Sequence, residues 1–137
     1  MPALFLYSVL PLFAGGMLYV LYRPLTLRFF ACIQNTAAEN FLLDLRETAG
    51  GISFPGWIIY NLPCGLWLFA FVNALFLFRA SRSVIMLAVA FPLLSELAQA
   101  TGWLSGTFDI LDLLAYSAGA GCGLFLFRRK QFNLQPA

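Results

Sequence analysis

Glu96 and Gln99 lie three residues apart near the end of one apolar run, and Asp109 and Asp112 lie three apart at the start of the next. The whole chain has only 6 Asp and Glu residues, so Glu96, Asp109 and Asp112 make this stretch home to half of its acids. An ionisable side chain inside a membrane span costs about 2.5–3.5 kcal/mol on insertion scales, and by default it marks a functional site. On helices a spacing of three puts each pair on one face. Carboxylates at the ends of Pro- and Gly-broken helices suit cationic or hydroxyl-rich groups, or a divalent cation bridging to phosphate. As glue between helices they are wasteful. Interhelical polar contacts are worth about 0.6–2 kcal/mol, which one Asn or Gln supplies, while three acids without a base repel one another.

Composition says what surrounds these residues. Of 137 residues, 61% are hydrophobic and 10% charged, against about 25% charged in a soluble domain. The chain therefore belongs in a membrane, as one all-α bundle with no second domain. The absence of histidine excludes His-ligated metals, Ser-His and Cys-His catalysis and histidine proton shuttles. Cys32, Cys64 and Cys122 form no CxxC pair; Cys64 and Cys122 fall inside apolar runs and read as small buried hydrophobes. No basic block with interleaved aromatics is present, so nucleic acid is not a partner.

A spanning helix needs about 20 apolar residues. Four stretches meet this, at about residues 3–22, 57–78, 83–103 and 108–127. The first has no Lys or Arg before it and is too long for a signal-peptide core, so it reads as an uncleaved span. A tight turn at Leu104-Ser105-Gly106-Thr107 makes the third and fourth antiparallel neighbours. With both termini cytoplasmic, the inner side carries Arg79, Arg82, Arg128, Arg129 and Lys130, and the outer side Arg23, Arg28 and Arg46. Five bases against three favours that orientation, in a bacterial inner membrane. It puts the Glu96–Asp112 junction outside, with Asn61, Pro63 and Cys64 at similar depth, so that one polar pocket in the outer leaflet follows. No base lies in these outer helix segments, which makes Arg46 or Arg28 the nearest candidate counter-charges.

Between the first two spans, Phe41, Leu42 and Leu45 recur at helical spacing among Asn40, Asp44 and Glu47. This predicts a short interfacial helix around residues 37–48, as a lid over the pocket or simply as a surface helix. The polar face of the fourth span continues through Tyr116 to Gly119 and Gly123, a GxxxG spacing for close helix packing. Gly15-Gly16 and Gly65 offer similar approach. A tight four-helix bundle with the fourth span at its centre is expected.

The string Ser95-Glu96-Leu97-Ala98-Gln99, a short turn, then Gly106-Thr107-Phe108-Asp109-Ile110-Leu111-Asp112-Leu113-Leu114, ending in Gly119 and Gly123, resembles the VanZ-like membrane proteins. Upstream, Asn61-Leu62-Pro63-Cys64-Gly65-Leu66-Trp67 is similar to an opening that some small members carry. Gly106 or Thr107 stands where that family has an Arg, and Tyr116 where it has an Asn. The resemblance implies a four-span fold with a site at Glu96, Gln99, Asp109, Asp112, Asn61 and Tyr116. The family is named for low-level resistance to the glycopeptide teicoplanin.

Three functions fit. In the first, the outer acidic pocket binds, with or without modifying, a lipid-linked or glycopeptide-like envelope ligand. In the second, the chain is a non-catalytic accessory subunit that docks on other membrane proteins or on copies of itself. In the third, Glu96, Asp109 and Asp112 relay protons or ions, although no inner acid continues such a path. Membrane lipids are partners in every case. No resident cofactor is called for beyond the divalent cation that such acids could take. The orientation has a direct check: Ser105→Cys in a cysteine-free background is expected to react with an impermeant maleimide on intact cells. Reaction only after permeabilisation reverses the topology.

Overall fold

The computed structural model describes residues 2–132, and all regular structure among the described residues is helical. Four helices are long and apolar enough to cross a membrane, Phe5–Tyr22, Gly56–Leu77, Arg82–Ala100 and Ile110–Phe127, which makes this an integral membrane protein. The helix around the first span, α1, runs from Pro2 to Tyr22 with a π turn at Phe5–Val9. Pro11 lies just beyond that turn. Its missing N–H and its ring displace the Tyr7 carbonyl, and Leu10 N–H bonds back to Phe5 instead. Helix α2 is Ala37–Ala49. Helix α3 covers Gly56–Leu77 with a break at Asn61, α4 is Arg82–Ala100, and α5 is Ile110–Phe132.

The centre of the bundle is α3, not the fourth span. It packs on α5 most extensively and also on α1 and α4, and more of it is buried than of any other span. The reason is the size of its side chains. Gly65 presents bare backbone to α5, where a Cβ would sit 2.7 Å from the Ala115 carbonyl. Gly119 meets the Gly65 carbonyl so closely that any side chain there would overlap it, and a Cβ on Gly123 would sit 3.0 Å from Val72. The fourth span's glycines thus serve contact with a helix that is itself smaller at the seam. On the opposite side of α3, Trp67 lies against Gly15, while Gly16 faces open space. Leu68, Val72 and Ala120 form the small core, with Phe76, Val89 and Tyr116 against it.

The turn between α4 and α5 is longer than the four residues expected. Helix α4 stops at Ala100 because Gly102, at φ +76°, lets Trp103 N–H bond to Ala98 (2.9 Å) and Gly102 N–H bond to Gln99 (3.1 Å). This is a Schellman ending. Helix α3 ends in the same way, with Ala80 N–H on Leu75 (2.9 Å) and Arg79 N–H on Phe76 (3.1 Å). There the left-handed position is held by Arg79, at φ +56°. A non-glycine residue in that conformation costs about 1–2 kcal/mol, and a cation near a helix C-terminus returns about 0.3–1. Local stability alone would have placed a glycine there.

Helix α2 forms where the periodicity puts it, and it packs on α1. Leu42 is buried and Leu45 half-buried, but Phe41 is 70% exposed and lies off the packed face. Arg46, one turn from Leu42, donates to the Val20 and Arg23 carbonyls and so caps the C-terminus of α1. It is spent there rather than on the acids, and Arg28 is exposed.

The seam between α3 and α5 gives a stability test. Gly119→Val is expected to destabilise the protein by about 1–3 kcal/mol or more, read as a lowered melting temperature in detergent. Gly121→Ala, with nothing within 4 Å of the new Cβ, should be neutral or slightly stabilising because alanine is the better helix former.

Candidate functional site

Pro63 creates the geometry of the site. Lacking an N–H, it interrupts the backbone ladder about two turns into α3, and Cys64 N–H bonds to the Asn61 carbonyl (3.1 Å) rather than to Tyr60. The freed Tyr60 carbonyl accepts from Arg23 Nη2 at 2.9 Å, with the guanidinium over the Tyr60 and Tyr19 rings. At this break Asn61 turns inward and is only 4% exposed.

The Asn61 amide joins both aspartates. Its Nδ2 donates to Asp109 Oδ2 at 2.8 Å and to Asp112 Oδ1 at 3.0 Å. Two acceptors fix the amide orientation, since only the NH2 end can serve both. Asp109 stands one residue ahead of α5 rather than within its first turn. It is the N-cap, accepting from Leu111 N–H on Oδ1 at 2.9 Å, the position where Asp is favoured. Asp112 lies one turn along, and the Cys64 thiol interacts both with it and with the Tyr116 hydroxyl. Cys64 is thus part of the polar cluster, whereas Cys122 is exposed.

Glu96 reaches the same place from α4. It is 6% exposed, its carboxylate interacts with the Asp109 backbone N–H and faces Asp112 and Asp109, and its Oε2 is buried without a hydrogen-bond partner. Glu96 and Asp112 therefore share one region, as expected. Gln99 does not join them: its side chain folds against Gly106, where a Cβ would sit 2.6 Å from Oε1. Gly106, at φ +153°, is required both by its backbone and by that contact.

Taken together, three carboxylates from two helix ends surround one neutral donor, with a thiol and a phenol one turn further in. Acceptors outnumber donors. Among the described residues no ion pair joins these acids to a base, and no group of three or more Cys, Asp or Glu residues is arranged to hold a metal ion. What such a cluster lacks is hydrogen-bond donors, which a hydroxyl or ammonium group would bring.

Beside it runs an open cleft of about 510 Å³ between α3 and α5, with Trp57 and Asn61 at one end and Phe69 and Cys122 at the other. Asn61 is its one polar side-chain amide; Leu66, Leu114 and Ala118 are typical of the walls. From Leu111 to Cys122 the helix rises about 16 Å, roughly half a bilayer's hydrocarbon thickness. Sequence reasoning misses the capping role of Asp109 and the place of Cys64 in the cluster, although both carry a signal. An Asp directly before an apolar run is an N-cap signature, and Cys64 stands one helical turn from Asn61.

Compared with known proteins, the chain matches no family model, no curated protein and no solved structure.

The central bond can be measured. A double-mutant cycle with Asn61→Ala and Asp112→Asn, followed by melting in detergent, is expected to give a coupling of about 0.6–1.7 kcal/mol. Strict additivity would mean that Asn61 does not hold Asp112.

Proposed function

We propose that this is a VanZ-like protein of the bacterial cytoplasmic membrane, with both termini inside. Its cluster of Asn61, Asp109, Asp112 and Glu96 binds the head group of a lipid-linked or glycopeptide-like envelope ligand in the outer leaflet. The observation that carries this reading is the cleft between α3 and α5, which is apolar for the depth of one leaflet and ends on Asn61. An acyl or prenyl chain laid along Leu66, Leu114 and Ala118 brings its head to Asn61, with the two aspartates immediately behind. Surplus carboxylate oxygens then meet the hydroxyl or ammonium donors of the head group, in a setting where charge-assisted hydrogen bonds are strong. Binding is the function proposed; Cys64 and Tyr116 lie within the cluster but no reaction is assigned to them. In this setting α2 is a helix lying at the outer membrane surface.

The accessory-subunit reading retains one observation. On α4, Leu87, Phe91 and Leu94 repeat at helical spacing and are 61–72% exposed, an apolar stripe that lipid or a second protein would cover.

Purification in mild detergent followed by mass spectrometry under native conditions distinguishes the two. A lipid held stoichiometrically by the wild type is expected to be lost in Asp112→Asn and also in Ala118→Phe, which fills the cleft from its exposed side. Both variants should keep their expression level. Retention of the lipid in both variants defeats the binding reading, and a stoichiometric partner chain in place of lipid favours the subunit reading.

A further inference from the structure

At the opposite end of the bundle lies a second cavity, of about 620 Å³, between the end of α3, the start of α4, the far half of α5 and the N-terminal turn of α1. Phe76, Leu77, Ile85, Leu126 and Phe127 make its apolar walls, with Phe76 and Phe127 stacked at 3.8 Å. Among the described residues its charged groups are Arg79 and Arg82, and the buried Asn73 also lines it. Fifteen residues separate Asn61 from Phe76 along α3, about 22 Å of helix rise, so this cavity and the acidic cluster face opposite membrane surfaces.

We propose that this cavity is a binding site for an anionic phospholipid, with the phosphodiester between Arg79 and Arg82 and an acyl chain along Leu77, Leu126 and Phe127. The first argument is charge. All 6 acids of the chain are Glu39, Asp44, Glu47, Glu96, Asp109 and Asp112; the first three ride on α2, which packs on α1 and is tied to its far end by Arg46, and the other three form the cluster at the far end of α3. No side-chain carboxylate of this chain is therefore available at this end, and Arg79 and Arg82, both exposed, present an uncompensated positive patch at the mouth of the cavity. The second argument is placement. Arg79 occupies the left-handed position that glycine fills in α4, and Arg82 opens α4, where the helix dipole disfavours a cation. The backbone at Arg79 and the dipole at Arg82 each carry a local cost, and an anion held between the two side chains offsets it, the more so because it also meets the positive end of α4. The third is the mixture of walls: a free phosphate needs no apolar channel, whereas a lipid uses both parts. Basic pockets between spanning helices are a known form of phospholipid site. The inference is independent of what the acidic cluster binds.

The fold itself supplies the discriminating variant. Arg79→Gly removes one charge and relaxes the backbone, so loss of binding cannot be ascribed to misfolding. The full-length protein in detergent is titrated with dioleoylphosphatidylglycerol, dioleoylphosphatidylcholine or inorganic phosphate, and melting and retained lipid are read. The wild type should be stabilised by phosphatidylglycerol and hold it at least tenfold more tightly than phosphatidylcholine. In Arg79→Gly with Arg82→Gln that preference should fall about tenfold or vanish, with the lipid-free melting temperature unchanged or raised. An undiminished preference in the double variant overturns the proposal. So does equal protection by inorganic phosphate alone, which would assign the arginines to a free anion.

Discussion

Backbone meets backbone where Gly65 of α3 lies against Gly119 of α5, and the spacing set there governs the rest of the bundle. Lipid tails are as apolar as leucine, so helices in a membrane gain little by burying large side chains and much by approaching closely. With the axes drawn together at Gly65, the short Asn61 side chain one turn away spans to both Asp109 and Asp112. A longer separation would have required Gln, or water. The same contact borders the cleft beside Asn61, whose lining includes Gly65, Ala115 and Gly119 together with Leu66 and Leu114.

A broken helix has backbone groups to satisfy, and in a membrane no solvent does it. Here arginines do. Arg23 serves the Tyr60 carbonyl released by Pro63, and Arg46 serves the carbonyls at the end of α1. Arg23 and Arg46 are both engaged with main chain, and among the described residues the acids go without a charged partner. The electrostatic character of the cluster therefore follows from backbone accounting two helices away: the bases that could have neutralised it hold α1, α2 and α3 together.

The spans are legible in the sequence because an apolar run of about 20 residues is the length a bilayer demands and a soluble fold rarely uses. The acids of the cluster are legible because carboxylates are costly at that depth and so stand out against their neighbours. Other features turn on contacts that periodicity does not encode. The GxxxG spacing in α5 identifies a packing seam but not which helix is central, since that depends on the small residue of the partner, Gly65. Gln99 shares a helical face with Glu96 by spacing. Helix α4 ends one residue later, at Ala100, and the chain folds back so that Gly106 meets the amide. Arg46 is visible as a base near the acids, but the course of residues 23–56 decides whom it serves, and no repeat describes that course.

Charge in this chain is sorted by end. The acids of the spans gather around Asn61; Arg79 stands just past the far end of α3, about 27 Å of helix rise away, with Arg82 at the start of α4, and among the described residues no ion pair cancels either group. In a bilayer each end meets a head-group layer, where donors, phosphates and water are concentrated within the reach of a side chain. Arg23, the base beside Asn61, is turned to the Tyr60 carbonyl, and all six acids of the chain lie away from Arg79. Helix α3, fixed at its middle by Gly65 and Val72, is the element that holds both ends in register.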